Sequence, residues 1–361
     1  MNSLIDYPTA YAFSYNSPEA DMKPVIEEMY KTRSEVFVTT DLAKLKPLFD
    51  LSRKYGIWTL EHEVRRVKYL ADWSKKRDIK FIHVESTIRI KKIYKKDDIL
   101  RFALEESNKF DYIYNHDEMP KINSFGVGLR HTLSLINKEG KWLIYSDWYT
   151  DCFEDAMGIY SGTISTESAI APNFSNEASS QETKANLYGY NRQKAVEYAD
   201  KYCGAAWGSD NNFKYNKKYP DYNGQGGDCT NYVSQVLGDA EGGGMKQSRS
   251  WYKGTHSWSN VDGLKAYIIN NGKGYIIGKG SFDELTKPRE NAPNGIISKL
   301  KLSDLICYVK KDDPNHFAVI TGADSHGYPL INSHTTDRYH VPWDLGWGNK
   351  NITFILIHIT G

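Results

Sequence analysis

Between residues 25 and 77, apolar side chains recur three and four positions apart in "VIEEMYKTRSEVFVTTDLAKLKPLFD" and "TLEHEVRRVKYLADWSKKR", the spacing of one helical face. The pattern then changes. "IKFIHVESTIRIKKIYK", "FGVGLRHTLSLIN" and "KWLIYSDWYTD" read as strands, so helices followed by long antiparallel strands predict an α+β layer. Residues 161–187, "SGTISTESAIAPNFSNEASSQETKANL", carry no sustained apolar period and read as a linker. The expected organisation is an accessory α+β domain over 1–160, a Ser/Thr-rich seam over 161–187, and a second domain over 188–361.

Beyond the seam, Ala195, Val196, Ala199, Tyr202 and Cys203 of "YNRQKAVEYADKYC" mark a helical face. The loop "GQGGDCTNYVSQVLG", residues 224–238, leads into a second helical spacing through Tyr232, Val233, Val236 and Leu237. After a Trp- and Gly-rich middle come four strand candidates, "DLICYV", "HFAVITG", "PLINSHT" and "TFILIHI". The pattern predicts a helix presenting a residue toward a following antiparallel sheet.

Charge narrows the function classes. Lys+Arg number 46 against Asp+Glu 45, so no global field favours nucleic acid or anionic lipid as a partner. No apolar run is long enough to span a bilayer. The start "MNSLIDYPTAYAF" lacks the order of a signal peptide, and any presequence is expected to have been removed. The four cysteines show no CxxC spacing, which argues against a zinc ribbon or a disulfide framework. Cys152, Cys203 and Cys307 read as core residues.

Cys229 reads differently. Asp228 fits a helix N-cap, so the thiol would sit in the first turn, where free amides and the helix dipole favour a thiolate. Gly226 and Gly227 would let backbone approach a substrate carbonyl. His316 opens a strand whose one face it shares with Ala318 and Ile320, and the returning strand offers Asn332 or His334 to orient the imidazole. Trp251, Trp258, Trp343 and Trp347 are candidate stacking platforms or core residues. Gly227, Asp228 and Trp258 are the expected substrate contacts.

The segments "YNRQKAVEYADKYC", "GGDCTNYVSQVLGDAEGG", "WYKGTHSWSNVDGLKAYI" and "LKLSDLICYVKKDDPNHFAVITGADSHGYPLINSHTTDR" together resemble the putative amidase domain of secreted Gram-positive proteins, a papain-like branch beside the NlpC and CHAP peptidoglycan hydrolases. The resemblance covers residues 188–361. It implies a papain-like α+β fold with Cys229 as nucleophile, His316 as base and His334 as third member, a position Asn332 contests. Gln225, four residues before Cys229, does not match the papain oxyanion glutamine in position. The implied substrate is peptidoglycan or a related peptide or N-acyl compound, cleaved by a monomer in the extracellular space or cell wall without cofactor or metal. Residues 20–155 resemble the nuclear-transport-factor-like cone, which implies helices packed on a curved sheet. Two other readings compete: a cell-wall binding module without turnover, and a metallohydrolase using His316, His334, His340 and Asp337.

Overall fold

The structure, a computed structural model, describes residues 22–164, 189–348 and 351–360, and most of the expected seam lies outside them. Helix α1 (Lys23–Thr39) has Pro24 in its first turn and ends where Thr40 turns left-handed. Helix α2 (Lys54–Lys76) buries Leu60, Val64, Val67 and Leu70, the stripe its sequence period foretells. Both lie against an antiparallel meander of β1 (Ile79–Lys96), β2 (Ile99–Tyr114), β3 (Asn123–Lys138) and β4 (Lys141–Tyr149). Pairing Phe110 with Phe125 puts both rings on the inner face, stacked at 4.7 Å. A short helix, α3 (Glu154–Met157), ends this half.

The second half opens with α4 (Arg192–Lys201), α5 (Cys229–Gly238), α6 (His256–Ser259) and α7 (Val261–Asn270). Strand β5 (Gly274–Gly280) and helix α8 (Phe282–Thr286) follow. Then come β6 (Leu305–Lys310), β7 (Asp313–Ala323), β8 (Pro329–Ser333), β9 (Asp337–Pro342) and β10 (Ile352–Ile359). Strands β6 and β7 are buried on both faces, which is why their sequence reads as unbroken apolar runs. Cys307, Phe317 and Val319 pack toward Tyr232, Val233 and Val236 of α5, while Ile306, Tyr308, Ala318 and Ile320 face the opposite core. The result is a mixed α+β fold built on antiparallel sheet.

The two halves are joined by the sheet itself. Strand β3 pairs with β9 through Gly126↔Tyr339, Val127↔Arg338 and Gly128↔Asp337, so the strands form one continuous sheet of ten. The glycines permit this approach: a Cβ on Gly126 would lie 2.1 Å from the Trp207 carbonyl oxygen, and one on Gly128 2.4 Å from the Ala205–Ala206 peptide. The core is shared as well. Trp343, Leu345 and Trp347 belong to the same buried cluster as Val64, Leu70, Trp73 and Phe153. The Trp73 indole donates to Asp344 at 2.9 Å, and the Gly346 amide donates to the Tyr69 hydroxyl at 2.6 Å. No helix among the described residues is long and apolar enough to cross a membrane.

Candidate active site

Cys229 is the first residue of α5. The loop before it turns through Gly226 and Gly227 at φ 103° and 111°, values that favour glycine. Asp228 departs from the expected capping role: its side chain accepts no hydrogen bond from the α5 backbone. Its Oδ1 instead accepts from the Tyr222 amide and from Asn231 Nδ2, and its Oδ2 meets His334 Nδ1 at 2.6 Å. Asp228 is almost wholly buried, so it shapes the loop, and the expected substrate contact is corrected.

The thiol is 7% exposed. Burial raises its pKa, although the Phe317 and Thr230 backbone N–H groups and the Thr230 hydroxyl, 3.8 Å away, all favour the thiolate. The expectation of an acidic thiol at a helix N-terminus therefore fails: desolvation outweighs these donors. Cys152, Cys203 and Cys307 are free, buried and also shifted upward by burial, to about 12 for Cys307, as core cysteines should be.

The Phe317 amide that faces the sulfur follows His316 directly in β7. The His316 ring is buried beside Tyr308 and Trp347, with centroids 5.6 and 5.2 Å away. Burial, reinforced by Arg338 and His334, lowers its pKa to about 3, so the imidazole is neutral at pH 7. Its Nε2 is buried without a hydrogen-bond partner among the described residues.

Neither predicted orienting group reaches that nitrogen. Asn332 lies opposite Val319, which puts it on the sheet face away from His316. There it accepts from Thr321 Oγ1 and the His340 amide and donates to Asp200. His334 lies past the end of β8, stacked between Tyr215 and Tyr232 at 4.0 and 3.9 Å. Its Nε2 meets the Tyr202 carbonyl at 2.6 Å. Both ring nitrogens thus face acceptors, so His334 serves Asp228 and Tyr202 rather than His316. The expectation that Asn332 and His334 share a face with His316 is corrected: sheet irregularities near Gly322 and Ser333 break the simple alternation.

The four candidate tryptophans, Trp251, Trp258, Trp343 and Trp347, are core. Trp251, Trp258 and Trp343 have no exposed surface, and the Trp258 and Trp251 indoles donate to Asn231 and Ser234 beneath Cys229. Trp258 as a substrate contact is corrected accordingly. The residues of the metal reading are dispersed: His340 pairs with Asp200, and Asp337 with Arg130 and Tyr215.

A second polar cluster lies inside the N-terminal half and includes Glu106, whose pair with Glu105 reads from sequence as helix surface but which stands buried on β2. His131 has Nδ1 3.0 Å from Asp147 and Nε2 3.1 Å from Glu106, while Arg33 bridges Asp147 and Glu63. Burial opposes the charge on His131, but the two carboxylates outweigh it and hold its pKa at about 9. The signal was available in β2, where Glu106 falls in phase with the apolar Leu104 and Phe110.

The site thus offers a thiol beside the Phe317 and Thr230 N–H groups, and Phe317 is the chain neighbour of His316, a neutral imidazole; a thiol and a neutral imidazole are components of nucleophilic chemistry. Among solved structures, an NTF2-type chain titled Rd1NTF2_05 is 18% identical, covering 36% of this chain and 99% of its own, with a TM-score of 0.20. A calcium/calmodulin dependent protein kinase II association domain from Xanthomonas campestris is 16% identical, covering 40% and 96%, with a TM-score of 0.21. Two curated relatives come from Bacillus subtilis strain 168. YhbB, uncharacterized, is 27% identical over 202 residues, 52% of this chain and 55% of its own length. YjcM, also uncharacterized, is 32% identical over 111 residues, 30% of this chain and 24% of its own. The chain therefore spans about half of one relative and a quarter of the other. Residues 189–357, which carry Cys229, His316 and His334, match the family described as the putative amidase domain, and that match points to amide hydrolysis.

Proposed function

We propose that the protein is a cysteine-dependent amide hydrolase of papain-like architecture, acting on bacterial peptidoglycan outside the cell. The observation that carries this reading is the placement of Cys229 at the start of α5, with its sulfur against the Phe317 amide next to His316. Neutral His316 takes the thiol proton as the sulfur attacks the amide carbonyl carbon, forming a C–S bond. The imidazolium then gives that proton to the departing nitrogen as the C–N bond breaks. Water, deprotonated by His316, attacks the thioester; the acid leaves and the thiol is restored. In this reading the helix amides beside Cys229 receive the developing oxyanion.

The test compares wild type with Cys229→Ala on purified peptidoglycan, scoring newly released amino and carboxyl termini, with and without a chelator. Release by wild type, insensitive to chelator and absent from Cys229→Ala, supports the reading. Retained release in Cys229→Ala, lost on chelation, hands the function to a metal mechanism. Binding of peptidoglycan by wild type without release identifies a binding module.

A further inference from the structure

We infer that Arg130, in the N-terminal half, is a positioning residue for Cys229, acting through Asp337, Tyr215 and the His334–Asp228 pair. The inference rests on the proposed cysteine chemistry for its meaning and on a chain of linked contacts for its content. The β3–β9 pairing sets Gly128 opposite Asp337, which brings the Arg130 guanidinium 2.9 Å from the Asp337 carboxylate and 3.1 Å from the Tyr215 hydroxyl. Asp337 has no solvent exposure, so its charge depends on the partners it finds inside the protein. Those partners are Arg130, the Tyr215 hydroxyl and the Ala205 amide, the last at 2.7 Å. A Cβ on Gly204 would clash with the same carboxylate, so the 202–205 turn is built tightly around it.

Asp337 therefore holds both groups that fix His334. Tyr215 stacks on one face of the imidazole, and the 202–205 turn supplies the Tyr202 carbonyl that accepts from Nε2. The other nitrogen faces Asp228, the residue before the thiol. The turn that follows His334 is also tied in, because Thr335 Oγ1 accepts from the Asp228 amide. Removing the guanidinium leaves Asp337 buried without its cation, a strongly unfavourable state that the site relieves by opening. The first parts to loosen are the 202–205 turn with its Tyr202 carbonyl and the separate segment carrying Tyr215, and with them the clamp on the Cys229 loop. The N-terminal half thereby acquires a role in the reaction: it completes the support of the thiol loop across the sheet.

The experiment measures iodoacetamide modification of each cysteine by peptide mapping in the full chain, alongside peptidoglycan turnover. A buried thiol reacts through local opening, so its rate reports how firmly the loop is closed. Arg130→Gln is expected to accelerate Cys229 modification about five-fold or more, with Cys203 in the loosened turn free to follow, while Cys152 and Cys307 keep their rates, and to lower turnover about ten-fold. Arg130→Lys, which keeps the charge, is expected to return the Cys229 rate to within about two-fold of wild type. Lys310→Ala, which removes a different contact between the halves to Asp155, serves as the control and leaves the Cys229 rate unchanged. A Cys229 rate in Arg130→Gln within about two-fold of wild type overturns the inference, as does a parallel rise of Cys152 and Cys307, which marks general loosening. Should Arg130→Gln fail to fold, Tyr215→Phe keeps the ring and removes only the hydroxyl link to Asp337, and must show the same selective acceleration. Retained hydrolysis in Cys229→Ala would overturn the proposed chemistry alone, because the modification rates test the positioning network independently of substrate.

Discussion

A chain truncated to residues 189–361 is expected to lose cooperative folding, although it contains the whole amidase-like stretch. Truncation strips β9 of its partner β3 and uncovers the side of the sheet that faces the first half. Trp343, Leu345, Trp347, Ile306 and Ile320 are all fully or nearly fully buried in the cluster that also holds Val64, Leu70, Trp73 and Phe153. Each such side chain returned to water costs about 1.5–3 kcal/mol, so the set costs on the order of 10 kcal/mol even if some remain partly covered. That equals the whole stability of a typical domain, about 5–15 kcal/mol. The buried Asp344 also loses the Trp73 and Arg77 donors, and Asp337 loses Arg130. Near-ultraviolet circular dichroism with a thermal scan provides the assay. The truncated chain is expected to show no cooperative transition and to bind a hydrophobic dye. A sharp transition with native-like near-ultraviolet signal would refute the reasoning and restore the picture of two separable domains.

Further outcomes follow from the buried titrating groups. Cys229 is expected to alkylate before Cys152, Cys203 and Cys307 in the folded protein, with a rate that keeps climbing above pH 9 because burial raises its pKa; a plateau below pH 7 would show an acidic thiol instead. His131, held at about 9 in the folded state against about 6.5 unfolded, stabilises the fold fully below pH 6.5 and loses that contribution as pH rises through 9, at most about 3 kcal/mol. The denaturant midpoint should fall across that window in wild type and less in His131→Gln; equal slopes would count against the His131 assignment. His316, lowered to about 3, acts in the opposite sense, since the unfolded chain takes up its proton first as pH falls below 6.5. His316→Phe is accordingly expected to be inactive yet to lose less stability than wild type between pH 6 and 4, and a steeper acid loss would contradict a neutral buried imidazole.

Much of the fold was legible because its long elements keep a clean period. The α2 stripe, strands β1, β3 and β4, and the strands around His316 and at the C-terminus stand where the apolar pattern puts them, whereas β2, with buried polar residues Glu106, Ser107 and Asn108 in its middle, does not read as a strand from sequence. Strand β9 escaped notice because "DRYHVP" has no apolar alternation: Asp337 and Arg338 are buried by ion pairs and carbonyl bonds, which hydrophobicity does not register. Missing β9 meant missing the join between the halves. Within the site, Cys229 and His316 were marked by their loop and strand context, whereas the partners of His334 were not, since Asp228, Tyr202 and Tyr215 converge only after the chain folds. The tryptophans of the Gly-rich middle could be read as stacking platforms or as core, and the fold decides for core because the Trp251 and Trp258 indoles find buried acceptors on α5.

The most direct test is intact-mass analysis of the full-length protein quenched during turnover of purified peptidoglycan, followed by peptide mapping of any adduct. Thiolate attack predicts a transient acyl adduct confined to the peptide containing Cys229, absent from Cys229→Ala and long-lived when His316 is replaced after acylation is allowed by a more reactive thioester substrate. Turnover that proceeds with no adduct on Cys229, or with an adduct at another residue, contradicts the assignment of Cys229 as the nucleophile.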